Sequence, residues 1–494
     1  MTATADDEVG PTDQDTRRTL RDVRRVARLL MQGLEPDDDG PNLLQVLEEH
    51  LGVQPDTLAV TSEDIPLHRT VDSDIAITEI AECDPEARLL GLGGGDMRHH
   101  MTFGDQIQHA RYGNGGALGQ VEYVQTAIGP GPSDHRNVVA SGMWLFRYGD
   151  HPVAVRMQGA AMQMGGRPFG RLDVLAVDSE VARELVTEVR RLMQERSILR
   201  GQVVTFADDP YGQGLGGITF FERPAMVRDD VVLPDGLLER VTDHVLGIAE
   251  HRAVLAEHGQ HLKRGILLFG PPGTGKTHTV RYLMSQSPGT TVVLLSGGSL
   301  RFIHDAAKVA RAHQPAIVVL EDCDLIAEDR SFGPMAKPLL FEVLDALDGI
   351  DADADVAFLL TTNRVEHLER ALSQRPGRVD LAAEIPLPDE QGRRALIRLY
   401  AGALFSDDAV QDVARGSEGT TASFAKELVR RAVLLAAASA TDPEDAHLLA
   451  ALDALQSDNE ALTRSLLGSG SGPEPGFGPG MQPGPFPSFG SGGF

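Results

Sequence analysis

The stretch "ILLFGPPGTGKTHTVRYLM", residues 266–284, constrains this chain more than any other. Its apolar start reads as a short buried strand and its end as a helix, joined by Gly270-x4-Gly275-Lys276-Thr277. A strand handing over to a helix through such a loop is the phosphate-binding pattern. Gly270, Gly273 and Gly275 let the backbone turn so that successive N–H groups face phosphate oxygens, and the helix adds the positive end of its dipole. Lys276 supplies a compact charge for the β- and γ-phosphates, and the Thr277 hydroxyl is placed to ligate Mg²⁺. Pro271, Pro272, Thr274 and His278 complete the expected nucleotide-binding run, so the cofactors expected are ATP and Mg²⁺.

A second stretch, "AIVVLEDCD", residues 316–324, is an apolar run ending in acids. A strand beside the phosphate-loop strand would end near the γ-phosphate. Its terminal acids, Glu321 and Asp322, would there complete the Mg²⁺ shell and orient water. The usual order is Asp then Glu, and here it is exchanged. Asn363 in "FLLTTNR" ends another strand, placed to hold that water through its amide. In "ALSQRPGRVD", Arg375 and Arg378 flank a Pro-Gly turn. An arginine delivered to the γ-phosphate neutralises charge developing in the transition state.

Five apolar runs between Gly265 and Leu387 alternate with helical segments, which predicts a parallel sheet covered on both faces. After Pro388 only helical patterns follow. Residues from about 231 to 465 resemble the AAA family of ring ATPases. In order, the matching elements are "GPPGTGKT", "VVLEDCD", "FEVLDALDGI", "TTNR", "QRPGRVD" and "GTTASFAKELVRRA". The resemblance implies a ring, most commonly a hexamer, with nucleotide between subunits and Arg375 and Arg378 reaching into the neighbour. It also implies that Glu321 serves Mg²⁺, that Asp322 is the general base, and that Asp324 fills the motif's fourth position. The Glu-Asp order and "HLKRGILLFGPPGTGKT" are similar to the Bcs1-like branch, whose membrane-spanning N-terminus has no counterpart here. The aromatic-Gly pore loop of threading unfoldases is not found after "LLSGGS", where Phe302 on an apolar face reads as core. In the lid, "GTTASF" stands in place of the usual Gly-Ala-Asp-type sensor and carries no arginine.

The fold class expected is α/β: an AAA-type phosphate-loop parallel sheet with a helical lid, preceded by a separate α+β domain. The expected boundaries are residues 1–41 for an acidic tail with a basic amphipathic helix and 42–225 for the N-terminal domain. The ATPase subdomain then takes 226–387, the lid 388–466, and a Gly/Pro/Phe-rich tail 467–494. Within 42–225, a hairpin at Gly149-Asp150 and a helix capped by Ser179 are expected. "MRHHM", residues 97–101, offers adjacent histidines but no second pair of metal ligands.

A formal charge of -27 repels phosphate backbones and disfavours nucleic acid as a partner. Basic residues segregate once, between Arg17 and Arg28, on a helix better suited to docking on an acidic body. No apolar run approaches the roughly 18 residues of a membrane span, which points to the cytoplasm. The two cysteines, Cys83 and Cys323, form no metal or disulfide framework. The leading expectation is a homo-oligomeric, ATP-hydrolysing ring that remodels or translocates a protein partner met by the N-terminal domain. The alternatives are an ATP-gated assembly protein with little turnover and, with only the arginine helix behind it, a nucleic-acid remodeller.

Overall fold

The computed structural model describes residues 42–93, 101–111, 118–161, 169–206, 217–323, 353–365 and 379–466, and elements are numbered within these. The chain divides into two compact units. The first contains two sheets, and the second contains the helical region after residue 384 together with residues 229–235 and 271–275.

Capping and burial place the first elements. Helix α1 (Leu43–Leu51) starts at Asn42, whose side chain accepts from the Leu44 N–H, and ends at Gly52 in a left-handed conformation. Strand β1 (Val60–Pro66), helix α2 (Thr70–Ala81), β2 (Arg88–Leu92), helix α3 (Phe103–Arg111), β3 (Leu118–Gly119) and β4 (Glu122–Ala127) follow. The long hairpin β5 (His135–Tyr148) and β6 (His151–Ala161) turns at Gly149-Asp150, as the sequence predicts. Strand β7 (Phe169–Ala176) leads into helix α4 (Ser179–Glu195). The cap of α4 is Asp178 rather than Ser179, because the Asp178 carboxylate reaches the Glu180 N–H at 2.8 Å.

These strands form an antiparallel sheet ordered β1-β7-β6-β5-β2-β3, with β4 beside β5. Both faces are covered. Val153, Val155 and Val174 pack with Ile77 of α2 and Leu185 and Val189 of α4. On the other face Met143, Leu145 and Leu175 pack with Leu47 of α1 and Phe103 of α3. Each such side chain removed from water contributes about 1.5–3 kcal/mol. The histidines of "MRHHM", His99 and His100, lie outside the described residues.

The second sheet is ordered β14-β10-β13-β12-β11-β8-β9. Strands β10 (Arg264–Phe269), β11 (Thr291–Ser296), β12 (Ala316–Glu321), β13 (Val356–Thr362) and β14 (Leu381–Glu384) run parallel. Their near-continuous burial is what a sheet covered on both faces demands. Helices α5 (Lys276–Ser285) and α6 (Ile303–Ala312) connect the first three in sequence.

Two results differ from the sequence expectation. Strands β8 (Val203–Phe206) and β9 (Ile218–Phe221), expected within an N-terminal domain ending at 225, belong to the second sheet. Val203 and Val204 pair in parallel with Val292 and Val293, so the apolar face of β11 recruits them. Secondly, β13 lies between β10 and β12, so the acid-bearing strand is not the direct neighbour of the phosphate-loop strand. Under the sheet, a buried ion pair joins the starts of β10 and β13: Arg264 Nη1 lies 2.8 Å from Asp355 Oδ1.

The two sheets of the first unit are joined by polar and aromatic contacts. Asp72 of α2 accepts from the Ile198 N–H at 3.0 Å, and Ser197 Oγ lies 3.3 Å from His313 Nε2. The His68 ring meets Phe206 edge-on, and Phe206 stacks on Phe302 at 5.7 Å. Phe302 is therefore packed, as its apolar setting predicts.

The second unit is built from α7 (Glu390–Ala401), α8 (Asp407–Gly416), α9 (Ala422–Ala438) and α10 (Asp445–Leu466). Leu396, Val410, Leu428 and Leu448 share its core, with Val232 against it. Buried Arg393 ties the bundle by donating to the carbonyls of Ala414 and Pro388.

Candidate nucleotide site

Strand β10 ends at Phe269 and α5 begins at Lys276, so residues 270–275 form the turn between them. The turn needs glycine where the sequence supplies it: φ is +77° at Gly273 and +113° at Gly275. Lys276, 6 % exposed, donates from Nζ to the Gly270 carbonyl at 2.8 Å. Thr277 is exposed and His278 half-buried in the first turn of α5. In the second unit, the Thr274 hydroxyl donates to Pro271 O at 2.9 Å. There the Ser423 N–H donates to Gly273 O at 3.1 Å, and Thr421 caps α9 by accepting from the Phe424 N–H.

The acids stand at the tip of β12. Glu321 is the last strand residue, in register with Ser296 of β11. The Thr277 side chain faces its carboxylate. Burial pushes the Glu321 carboxyl above the usual range; the Thr277 side chain opposes that, the Asp322 charge adds to it, and Arg281 opposes it again. The next residue turns sharply, with Asp322 at φ +53°. Its N–H donates to Thr361 Oγ1 at 3.0 Å, and its carboxylate receives the Asn363 amide at 3.4 Å. Cys323 is buried, with its thiol directed at Leu320 O at 3.4 Å, which is the structural role expected of it.

The structure thus brings Thr277, Glu321, Asp322 and Asn363 into one connected group although β13 separates β10 from β12. Arg375, Arg378 and Asp324 lie outside the described residues. Two participants escaped the sequence reading, Thr361 and Arg281. Thr361 had a signal, since it directly precedes the "TN" of "TTNR" on the strand. Arg281, one helical turn beyond Thr277, had none beyond that spacing.

The donor set fits a hard divalent cation. Carboxylate and hydroxyl oxygens suit Mg²⁺, which binds through one or two carboxylates plus substrate phosphates rather than a full protein cage. Among the described residues no cluster of three or more His, Cys, Asp or Glu is placed to hold a metal ion. A partly buried Glu321 beside a second acid is also a place where a cation relieves repulsion.

Comparison with known proteins gives relatives for the second sheet and its turn. Residues 266–387 match the ATPase family associated with various cellular activities (AAA). Proteasome-activating nucleotidase 1 of Halobacterium salinarum is 29% identical over 251 residues, 47% of this chain and 57% of the relative. ATP-dependent zinc metalloprotease FtsH 4 of Sphaerobacter thermophilus is 30% identical over 260 residues, 49% of this chain and 38% of the relative. The 26S proteasome regulatory subunit S10B homolog B of Arabidopsis thaliana is 36% identical over 154 residues, 28% of this chain and 38% of the relative. The chain therefore spans about half the length, or less, of these relatives. No helix among the described residues is long and apolar enough to cross a membrane.

Proposed function

We propose that the AAA ATPase domain at residues 266–387 hydrolyses ATP and that the chain, as a homo-oligomeric ring, uses it to remodel or move a protein partner. One observation carries the reading: Lys276 and Thr277 open a helix directly after the glycine turn, and Asp322 at the tip of the acid-bearing strand is bonded to Asn363. Thr277 and Glu321 would hold Mg²⁺, which when bound supplies positive charge opposite the transferring group. Lys276 balances the β- and γ-phosphates. Asp322 accepts the proton of the attacking water, and Asn363 fixes the direction of the Asp322 carboxylate and of that water. Arg375 and Arg378 enter from a neighbouring subunit.

The protein-partner assignment is supported by relatives whose names are those of a proteasome-activating nucleotidase, a proteasome regulatory subunit and an ATP-dependent protease. The charge of -27 weighs against nucleic acid. We assign partner recognition to the helix-covered antiparallel sheet and place the protein in the cytoplasm. The Glu-Asp order and "HLKRGILLFGPPGTGKT" underlie our assignment to a Bcs1-like branch, which rests on those two motifs alone.

The test is paired. Lys276→Ala loses nucleotide binding, whereas Asp322→Asn keeps it and loses about 10²–10⁴-fold in turnover, the usual share of general-base catalysis. Unchanged turnover in the second variant refutes the role assigned to Asp322. Full turnover by Arg375→Ala and Arg378→Ala as dilute monomers sinks the ring-borne arginines. A second reading, ATP-gated assembly with little work done, is favoured by the packing of Phe302 on Phe206, which takes the nearest aromatic out of any substrate-gripping role. Stimulation of turnover by an unfolded protein supports remodelling. Oligomerisation by a non-hydrolysable ATP analogue with negligible turnover supports assembly.

A further inference from the structure

We propose that Thr361 is a positioning residue for the carboxylate of Asp322, and that its grip is what allows the Glu-then-Asp order to work. The inference rests on the reading of Asp322 as the group that activates water. A strand that continued straight past Glu321 would keep residue 322 in the ladder. Instead Asp322 adopts φ +53°, a left-handed conformation that non-glycine residues rarely adopt. That turn takes its N–H out of the regular pattern, and a part-buried N–H is costly to leave without a partner.

Thr361 supplies it, and does so from both sides. Its hydroxyl accepts the Asp322 N–H at 3.0 Å and its carbonyl accepts the Cys323 N–H at 2.9 Å. Thr361 is 1 % exposed in a strand buried along its whole length, so its own position is fixed by packing. Asn363, in the bend just past the end of β13, donates to Asp322 Oδ1 at 3.4 Å. The end of β13 thus holds the backbone of Asp322 through Thr361, and the residue just beyond it holds the carboxylate. Aspartate is among the few non-glycine residues enriched in the left-handed region, and glutamate is not. The short acid stands second because the backbone there turns, and the long acid stands first because the strand is still extended.

Thr361→Val preserves shape and removes the acceptor; Thr361→Ser restores it. In Thr361→Val, we expect turnover to fall at least about tenfold, within the ~10²–10⁴ that general-base catalysis contributes, while affinity for a fluorescent non-hydrolysable ATP analogue stays within about twofold. Thr361→Ser should recover most of the loss. In an Asp322→Asn background, Thr361→Val should change residual turnover no further. Amide hydrogen exchange at Asp322 should rise in Thr361→Val and return in Thr361→Ser. Wild-type turnover with unchanged exchange in Thr361→Val overturns the proposal, as does an equal loss in both backgrounds. If the wild-type chain hydrolyses no ATP, the functional reading fails, and the exchange measurement still decides whether Thr361 pins residue 322.

Discussion

Thr277 in the first turn of α5 faces the carboxylate of Glu321 at the tip of β12, across an intervening strand. Two groups that both prefer a hard cation are therefore neighbours. Thr277 also holds down a carboxyl that burial and Asp322 push up. With Glu321 as the proposed cation ligand, activity should be lost as pH falls through its raised value, because a protonated carboxyl cannot ligate a cation. Thr277→Val and Arg281→Gln each remove an opposing influence. Both should shift the acid limb of kcat/KM to higher pH, with Glu321→Gln losing Mg²⁺-dependent turnover outright. An acid limb that stays put in Arg281→Gln would show that its charge is not felt at the site.

Restoring the usual acid order should not improve the enzyme. In the double variant Glu321→Asp, Asp322→Glu, the shorter acid no longer reaches Thr277 and a glutamate is forced to φ +53°. Aspartate already bears the cost of this left-handed turn, and glutamate lacks aspartate's enrichment there, so the added backbone cost lowers Tm only modestly. Turnover should fall below that of either single variant. A double variant as active as wild type would mean that the order is neutral.

This order was legible as a motif, but its cause was not. Aspartate is compatible with both extended and left-handed backbone, so nothing in "LEDCD" announces the turn at Asp322. The parallel strands were readable because a strand covered on both faces is a continuous apolar run, as in "AIVVLE" and "VAFLLTT". The same run does not encode its neighbours. That β13 separates β10 from β12 depends on pairings such as Ile317 with Ala357, remote in sequence. For the same reason "VVTF" and "ITFF" looked like the end of the preceding domain, although Val203 pairs with Val292. The Gly273 contact with Ser423 joins residues 150 apart in number and leaves no trace in either local pattern.

The junction between the two sheets should make the fold acid-sensitive. His313, 1 % exposed, and His68 are both held at about 4, chiefly by burial. Arg69, Arg200 and His68 add to the effect at His313; Arg69 and Lys308 add to it at His68, where Asp305 opposes. With folded values below the unfolded 6.5, the unfolded chain takes up protons first, so stability is complete above that value and drains as pH falls toward 4. For His313 the full effect is on the order of 3 kcal/mol. His313→Asn should flatten the decline in urea midpoint between these limits. An equally steep decline in that variant would place the acid sensitivity elsewhere.

Gly273 meets the start of α9 so closely that its lack of a side chain is a requirement. A Cβ there would lie 3.0 Å from Ser423 Oγ and 3.1 Å from Thr421 Oγ1, and φ is +77°. Gly273→Ala therefore carries two separable costs, backbone strain of roughly 1–2 kcal/mol and crowding against two hydroxyls. We expect far-UV circular dichroism to be unchanged and affinity for an ATP analogue to fall about tenfold or more, the equivalent of 1.4 kcal/mol. Removing the nearer hydroxyl in Gly273→Ala, Ser423→Ala should recover the crowding share and leave the strain. Ser423→Ala alone keeps the backbone N–H that bonds Gly273 O, so it should be near neutral. Thr421→Ala differs, because it deletes the cap of a 17-residue helix and should cost the second unit about 1 kcal/mol. If the double variant binds no better than Gly273→Ala, the strained backbone alone explains the glycine, and the contact with α9 is incidental.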